Sequence, residues 1–141
     1  MARRSRILLE PIGFVHTKDE GLEAGHPGPV SKLVLSEKYA NGLEGVDGYS
    51  HIFVIYWLHK VRKSERRHLL TYPDHDPRWV GVFSTRHPNR PNPIGLTVVQ
   101  LLQRRSNVLK VRGLDAFDGT PILDIKPYNH RDIPEKIHEP D

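Results

Sequence analysis

The segment that most restricts the fold is the nine-residue run His51-Ile52-Phe53-Val54-Ile55-Tyr56-Trp57-Leu58-His59. One parity carries Phe53, Ile55 and Trp57, and the other carries Ile52, Val54, Tyr56 and Leu58. A strand that is apolar on both faces is covered on both, so this run is expected in the middle of a sheet. No other stretch shows a long amphipathic period. Short apolar runs bounded by Gly, Pro, Asn and Asp recur instead, at 7–15, 30–35, 79–83, 96–103, 108–114 and 121–126. With 51–59 these make seven candidate strands, the pattern of a β-barrel or sandwich. Ser106-Asn107 reads as a hairpin turn between 96–103 and 108–114, with Arg104 and Arg105 at its wet end. Ser36 is placed to cap a short helix over 37–41, closed by Gly42. The expectation is a mainly β domain with at most one or two short helices.

A chain of 141 residues suits one hydrophobic core rather than two. No stretch approaches the roughly 18–20 apolar residues of a membrane span. The basic start, Arg3, Arg4 and Arg6, is followed only by Ile7-Leu8-Leu9 before Glu10-Pro11, too short for a secretory signal. There is no cysteine, which excludes disulfides, thiolate metal sites and a cysteine nucleophile. These features predict a soluble, cytoplasmic protein. The formal charge of +4, from 21 Lys and Arg against 17 Asp and Glu, leans toward a polyanionic partner.

Three segments carry candidate chemistry. Residues 83–96 contain Pro88, Pro91 and Pro93, each of which fixes φ and removes a backbone donor, so helix and sheet interior are excluded there. Arg86 and Arg90 project from this stiff loop, as a clamp for a carboxylate or phosphate requires, with Ser84, Thr85, Asn89 and Asn92 as further donors. A proline-stiffened connection with surface arginines explains the same residues. In Gly113-Leu114-Asp115-Ala116-Phe117-Asp118-Gly119-Thr120-Pro121, two carboxylates stand three apart. Asp118-Gly119 is a turn signal, whereas Asp115, at the end of a strand, suits hydrogen bonding to an amine or ribose hydroxyl, or a base. Gly25-His26-Pro27-Gly28-Pro29 is a third stiff turn where backbone can approach a ligand.

Residues 59–70 hold Lys60, Arg62, Lys63, Arg66 and Arg67 against Glu65. They read as an exposed excursion that contacts phosphates or forms a solvated face. The turn-rich segment 72–77 follows. Nine histidines show no metal spacing: His51 and His59 stand about 26 Å apart at strand rise, and Asp74-His75-Asp76 is too little to hold an ion. No metal is expected. The chain also lacks G-x-G-x-x-G, a P-loop and G-x-S-x-G, which argues against a Rossmann nucleotide site or an α/β-hydrolase.

The run Phe83-Ser84-Thr85-Arg86, then Asn89-Arg90-Pro91-Asn92-Pro93-Ile94-Gly95-Leu96, followed by Val111-Arg112-Gly113-Leu114-Asp115-Ala116, Asp118-Gly119-Thr120-Pro121 and Asp124-Ile125-Lys126-Pro127-Tyr128, resembles the TsaA/TrmO family. Ile12-Gly13, Gly28-Pro29 and Leu43-Glu44-Gly45 before Ser50-His51 extend the resemblance across about residues 7–128. It implies a small single-sheeted β-barrel working as a homodimer, taken as the domain 1–128, while Pro134, Pro140 and the scarcity of apolar anchors over 129–141 read as a loosely held tail. It implies transfer of a methyl group from S-adenosylmethionine to N6 of threonylcarbamoyladenosine beside the tRNA anticodon.

Carried onto matching positions, the resemblance puts cofactor contacts on Pro27, Gly28, Leu58, His59, Arg86, Leu96, Gly113, Leu114 and Asp115. Arg86, Asp115 and Asp118 are the catalytic candidates. Lys60, Arg62, Lys63, Arg66, Arg67 and Arg90 are the candidates for tRNA phosphate, Arg90 having loop architecture as its alternative. His87 stands where the family has a small residue, and Phe117 where it has a smaller aliphatic one, departures that bear on the acceptor pocket. Two other readings fit the same residues: a non-catalytic RNA-binding barrel, and a methyltransferase of a small molecule on the same scaffold.

Overall fold

The computed structural model describes residues 5–18, 28–71 and 78–140. Six antiparallel strands close into a barrel in the order β1-β2-β7-β6-β3-β8. These are β1 (Gly13–Thr17), β2 (Val30–Leu35), β3 (His51–Trp57), β6 (Ile94–Arg105), β7 (Val108–Arg112) and β8 (Pro121–Pro127). Two short strands, β4 (Leu70–Thr71) and β5 (Val80–Gly81), pair apart from the barrel. The mainly β, single-sheeted barrel expected from the sequence is the fold, and among the described residues its helical content is short 3-10 turns.

Period-2 alternation builds the core. Ile52, Val54 and Tyr56 of β3 face inward, with Leu33 and Leu35 of β2, Val99 of β6, Leu109 and Val111 of β7, and Ile122 of β8. Leu43 and Leu114 close the two ends of this cluster. β3 is central in that β6 and β8 flank it, but among the described residues no second sheet of the barrel's size lies over its second apolar face. His51, Phe53, Ile55 and Trp57 are half-buried on the barrel's outside. Phe53 packs edge-on against Tyr128 with ring centroids 5.3 Å apart, and the Arg66 guanidinium lies over Trp57 at 5.0 Å. Closure removes sheet edges, so a doubly apolar strand here reports a decorated outer wall rather than a buried layer.

Several expected boundaries shift for physical reasons. The first strand begins at Gly13, because Ile7 and Leu8 are almost fully exposed and pair with nothing in the sheet. The 79–83 run contributes only Val80–Gly81, to the small ribbon, and then turns through a 3-10 segment, Val82–Ser84. β6 starts at Ile94, directly after the buried Pro93, and runs to Arg105. An irregularity between Leu101 and Gln103 shifts its register, so Arg104 lies opposite the inward Leu109. Arg104 is therefore not simply at a wet hairpin end: it reaches the Ala40 carbonyl at 3.5 Å and Glu44 at 3.7 Å. The predicted helix is a 3-10 turn over Glu37–Leu43, with no side-chain cap from Ser36, and Gly42 lies inside it rather than closing it. The tail makes one capped turn, with Asn129 accepting from Arg131 N and Asp132 returning to Asn129 N; residues 130–140 are exposed.

Candidate functional site

At the barrel end where β3 and β7 finish and β6 begins, a cleft of about 980 Å³ opens. Its walls come from five segments distant in sequence: the end of β3, the basic excursion, the proline loop, the start of β6 and the turn after β7. Its size falls within the ~300–1,000 Å³ of small-molecule sites.

β3 leads into the cleft through one further ladder bond, Leu58 N donating to the Pro93 carbonyl at 2.7 Å, which sets Leu58 and His59 at the rim. On the facing strand, Gly95 has no side chain because Tyr56 fills that space. Tyr56 in turn pairs its hydroxyl with Thr97 Oγ1 at 2.9 Å, a polar contact on the cleft floor. After β7, Gly113 takes φ +96°, a left-handed conformation that carries the chain out of the barrel and over its end. Leu114 is then buried, while Asp115, Ala116 and Phe117 line the cleft.

The proline loop is held by a chain of internal bonds. Thr85 Oγ1 donates to the Val82 carbonyl at 2.9 Å and accepts from His87 N at 3.2 Å. His87 Nδ1 accepts from Asn89 N at 3.1 Å. Arg90 Nη1 donates to the carbonyls of Thr85 and His87, at 2.8 and 3.1 Å. His87 and Arg90 thus hold the loop together. Arg86 makes no hydrogen bond or ion pair with any described residue, is exposed, and lines the cleft. A guanidinium so placed keeps its fork of donors for a carboxylate or phosphate.

The excursion folds as a 3-10 turn, Lys63–Arg67, and its single acid is turned toward the loop: Asn89 Nδ2 donates to Glu65 Oε2 at 2.6 Å. Lys60 and Arg62 line the cleft, with the Lys60 ammonium 4.3 Å from the Phe117 ring centroid. Arg66, stacked on Trp57, is partly withdrawn from the charged surface. Sequence reading missed Glu65, Thr97, Thr120 and Tyr56 as site residues. The parity of β3 and β6 could have found Tyr56 and Thr97; nothing local signals Glu65.

Of the residues singled out from sequence, Leu58, His59, Lys60, Arg62, Arg86, Arg90, Leu96 and Asp115 meet at this cleft. Lys63, Arg66 and Arg67 stand on the adjoining turn. Gly113 and Leu114 are not among the lining residues: Gly113 makes the left-handed turn at the end of β7, and Leu114 is buried in the core. Gly28 takes φ +88°, and a Cβ on it would come within 4.0 Å of Gly113 Cα, so it approaches the same turn from the barrel side. Asp118 is not among the lining residues: its Oδ1 accepts from Thr17 N at 3.0 Å and ties the turn to β1. Pro27 and Asp74-His75-Asp76 lie outside the described residues. Among the described residues, no group of three or more His, Asp or Glu could hold a metal ion, and no helix is long and apolar enough to cross a membrane.

Residues 23–132 match the family described as tRNA-methyltransferase O N-terminal domain. A probable S-adenosyl-L-methionine-binding protein of Archaeoglobus fulgidus is 43% identical over 87% of this chain and 34% of its own length. The human tRNA (adenine(37)-N6)-methyltransferase is 37% identical over 71% of this chain and 23% of its own. The crystal structure of TrmO from Pseudomonas aeruginosa superposes with a TM-score of 0.72 at 29% identity, covering 95% of this chain and 61% of that one. The chain therefore spans about a third of the first relative and six tenths of the crystallised protein. Matched over most of its length, this chain belongs to the tRNA-methyltransferase O N-terminal domain family.

Proposed function

We propose that the chain is an S-adenosylmethionine-dependent methyltransferase that methylates N6 of threonylcarbamoyladenosine beside the tRNA anticodon. The observation that carries this reading is the convergence of Leu58, His59, Arg86, Leu96 and Asp115, from four separate segments, on one cleft of ligand size. The names borne by the relatives support both the cofactor and the nucleic-acid class.

The donor set fits the cofactor. Arg86 suits a methionine carboxylate, Asp115 suits an amine or ribose hydroxyl, and Leu58 and Leu96 offer apolar surface to a purine. When bound, S-adenosylmethionine supplies an electrophilic methyl on a sulfonium, and its transfer is an in-line displacement that needs no metal. The protein's contribution is to align donor and acceptor, which is where most of the rate gain in a positioned two-body reaction arises. The acceptor nitrogen must also lose a proton. Asp115, on the cleft wall and without a partner among the described residues, is the group placed to accept it; Asp118 holds Thr17 instead.

Lys60, Arg62, Lys63 and Arg67 supply phosphate contacts at the cleft's edge, and Arg90 supports the loop that carries Arg86. The outer wall of β3 and β6 supports a homodimer. Ile94, Leu96 and Val98 are 39–55% exposed there, opposite half-buried Trp57, Ile55 and Phe53, a contiguous apolar strip of the kind covered in assemblies. The reading takes 1–128 as the methyltransferase domain, 129–141 as a loosely held tail, and the cytoplasm as the compartment. Calorimetric titration with S-adenosylmethionine tests the first step: saturable binding is expected, and no heat at millimolar cofactor contradicts the reading.

A further inference from the structure

Phe117 is 63% exposed, at the cleft mouth and not on a stray loop. Its backbone is pinned: the Phe117 carbonyl accepts from Thr120 N at 3.2 Å and from Thr120 Oγ1 at 2.6 Å, and Thr120 is 2% exposed. On its other side Ala116 packs against the core cluster. A large apolar ring is therefore held out into water by the buried Thr120 and the partly buried Ala116, two residues from Asp115. The Lys60 ammonium rests 4.3 Å from the ring centroid, and Arg62 and Arg86 line the same cleft. An exposed ring bordered by cations matches a flat, apolar-faced group attached to an anion. That is the chemistry of an unstacked nucleobase with its phosphate.

We propose that Phe117 is the stacking platform for the acceptor base, and that Lys60 guards the ring until the base arrives and then pairs with the phosphate beside it. A weak exposed cation–π contact gives way to a base, because stacking of a base on an aromatic ring is the stronger of the two. A purine on Phe117 lies next to Asp115, so the platform also sets which base edge faces the carboxylate. Phe117 is on this view a specificity-determining residue. The identity of the base rests on the methyltransferase reading above; the platform itself does not.

The test uses the full chain and an RNA hairpin with 2-aminopurine at the target position in its loop. Stacking on Phe117 quenches the probe. Phe117→Trp retains quenching, Phe117→Leu abolishes it and weakens binding about tenfold, and Lys60→Met lowers the salt slope by about 0.7 while keeping the quench. Absence of quenching with the unaltered protein overturns the platform, as does equal quenching by Phe117→Leu. If quenching follows this pattern but no methyl is transferred to any nucleoside, the platform stands and the methyltransferase reading falls.

Discussion

Gly95 and Tyr56 face each other across the β3–β6 ladder, and the tyrosine ring occupies the space where a Cβ on residue 95 would stand, with Cδ2 2.9 Å from that position. The cleft floor depends on this pairing, because the Tyr56 hydroxyl reaches Thr97 Oγ1 only with the ring seated over Gly95. Gly95→Ala is expected to push the ring aside and destabilise the fold by about 1–3 kcal/mol, as overpacking does. Tyr56→Phe, which keeps the ring and loses the hydroxyl pair, costs about 1 kcal/mol. Denaturant midpoints measure both; an unshifted midpoint for Gly95→Ala contradicts the packing described.

Glu65 and Asn89 join the excursion to the proline loop across 24 residues of sequence. A double-mutant cycle between Glu65→Ala and Asn89→Ala should return a coupling of about 1–2 kcal/mol, as for a part-buried charge-assisted hydrogen bond. Either single variant should also expose the Lys63–Arg67 turn to trypsin. Additive effects and unchanged cleavage would mean that the two segments are not tied in solution.

Arg86→Ala should weaken cofactor binding at least about tenfold, as loss of a charge-assisted contact does. Because Arg86 bonds no described residue, its thermal midpoint should match that of the unaltered protein. Calorimetry and a melting curve read the two effects separately. Near-normal affinity removes Arg86 from the cofactor site.

Arg62 and Arg66 should behave differently although only four positions separate them. Arg62, at the cleft, contributes to the salt dependence of RNA binding, so Arg62→Ala lowers the slope by about 0.7–0.9. Arg66 is stacked on Trp57, so Arg66→Ala changes tryptophan fluorescence and lowers stability by about 0.5–1 kcal/mol. Salt titrations of RNA binding and denaturant melts separate the two roles; equal slopes for both variants would contradict the distinction.

The barrel was legible because its evidence is local. The apolar run 51–59 marked a strand, although its two apolar parities left open that Ile52, Val54 and Tyr56 are the inward set, and Ser106-Asn107 marked the β6–β7 hairpin. The strand at 79–83 misled because apolar alternation cannot tell a barrel strand from an exposed ribbon: Trp79 and Phe83 are 60% and 77% exposed. The proline loop was readable as rigid, but not how it is braced. His87 stood out as a departure from the family pattern and Arg90 as a cation for tRNA phosphate or loop architecture, and the folded loop shows which backbone atoms a few residues away each one bonds. Asp118-Gly119 was readable as a turn and Asp115 as the freer carboxylate, and the fold sends Asp115 to the cleft while Asp118 holds Thr17, a partner that no local signal names. The Glu65–Asn89 and Lys60–Phe117 contacts have no sequence signal, because each depends on where two loops meet over the barrel end.

The most direct measurement is mass spectrometry of tRNA nucleosides after incubation of the protein with tRNA and methyl-labelled S-adenosylmethionine. The label is expected on N6 of threonylcarbamoyladenosine, and absent when Arg86→Ala or Asp115→Asn replaces the unaltered chain. Label on a different nucleoside, or cofactor bound with no label entering tRNA, would contradict the proposed function.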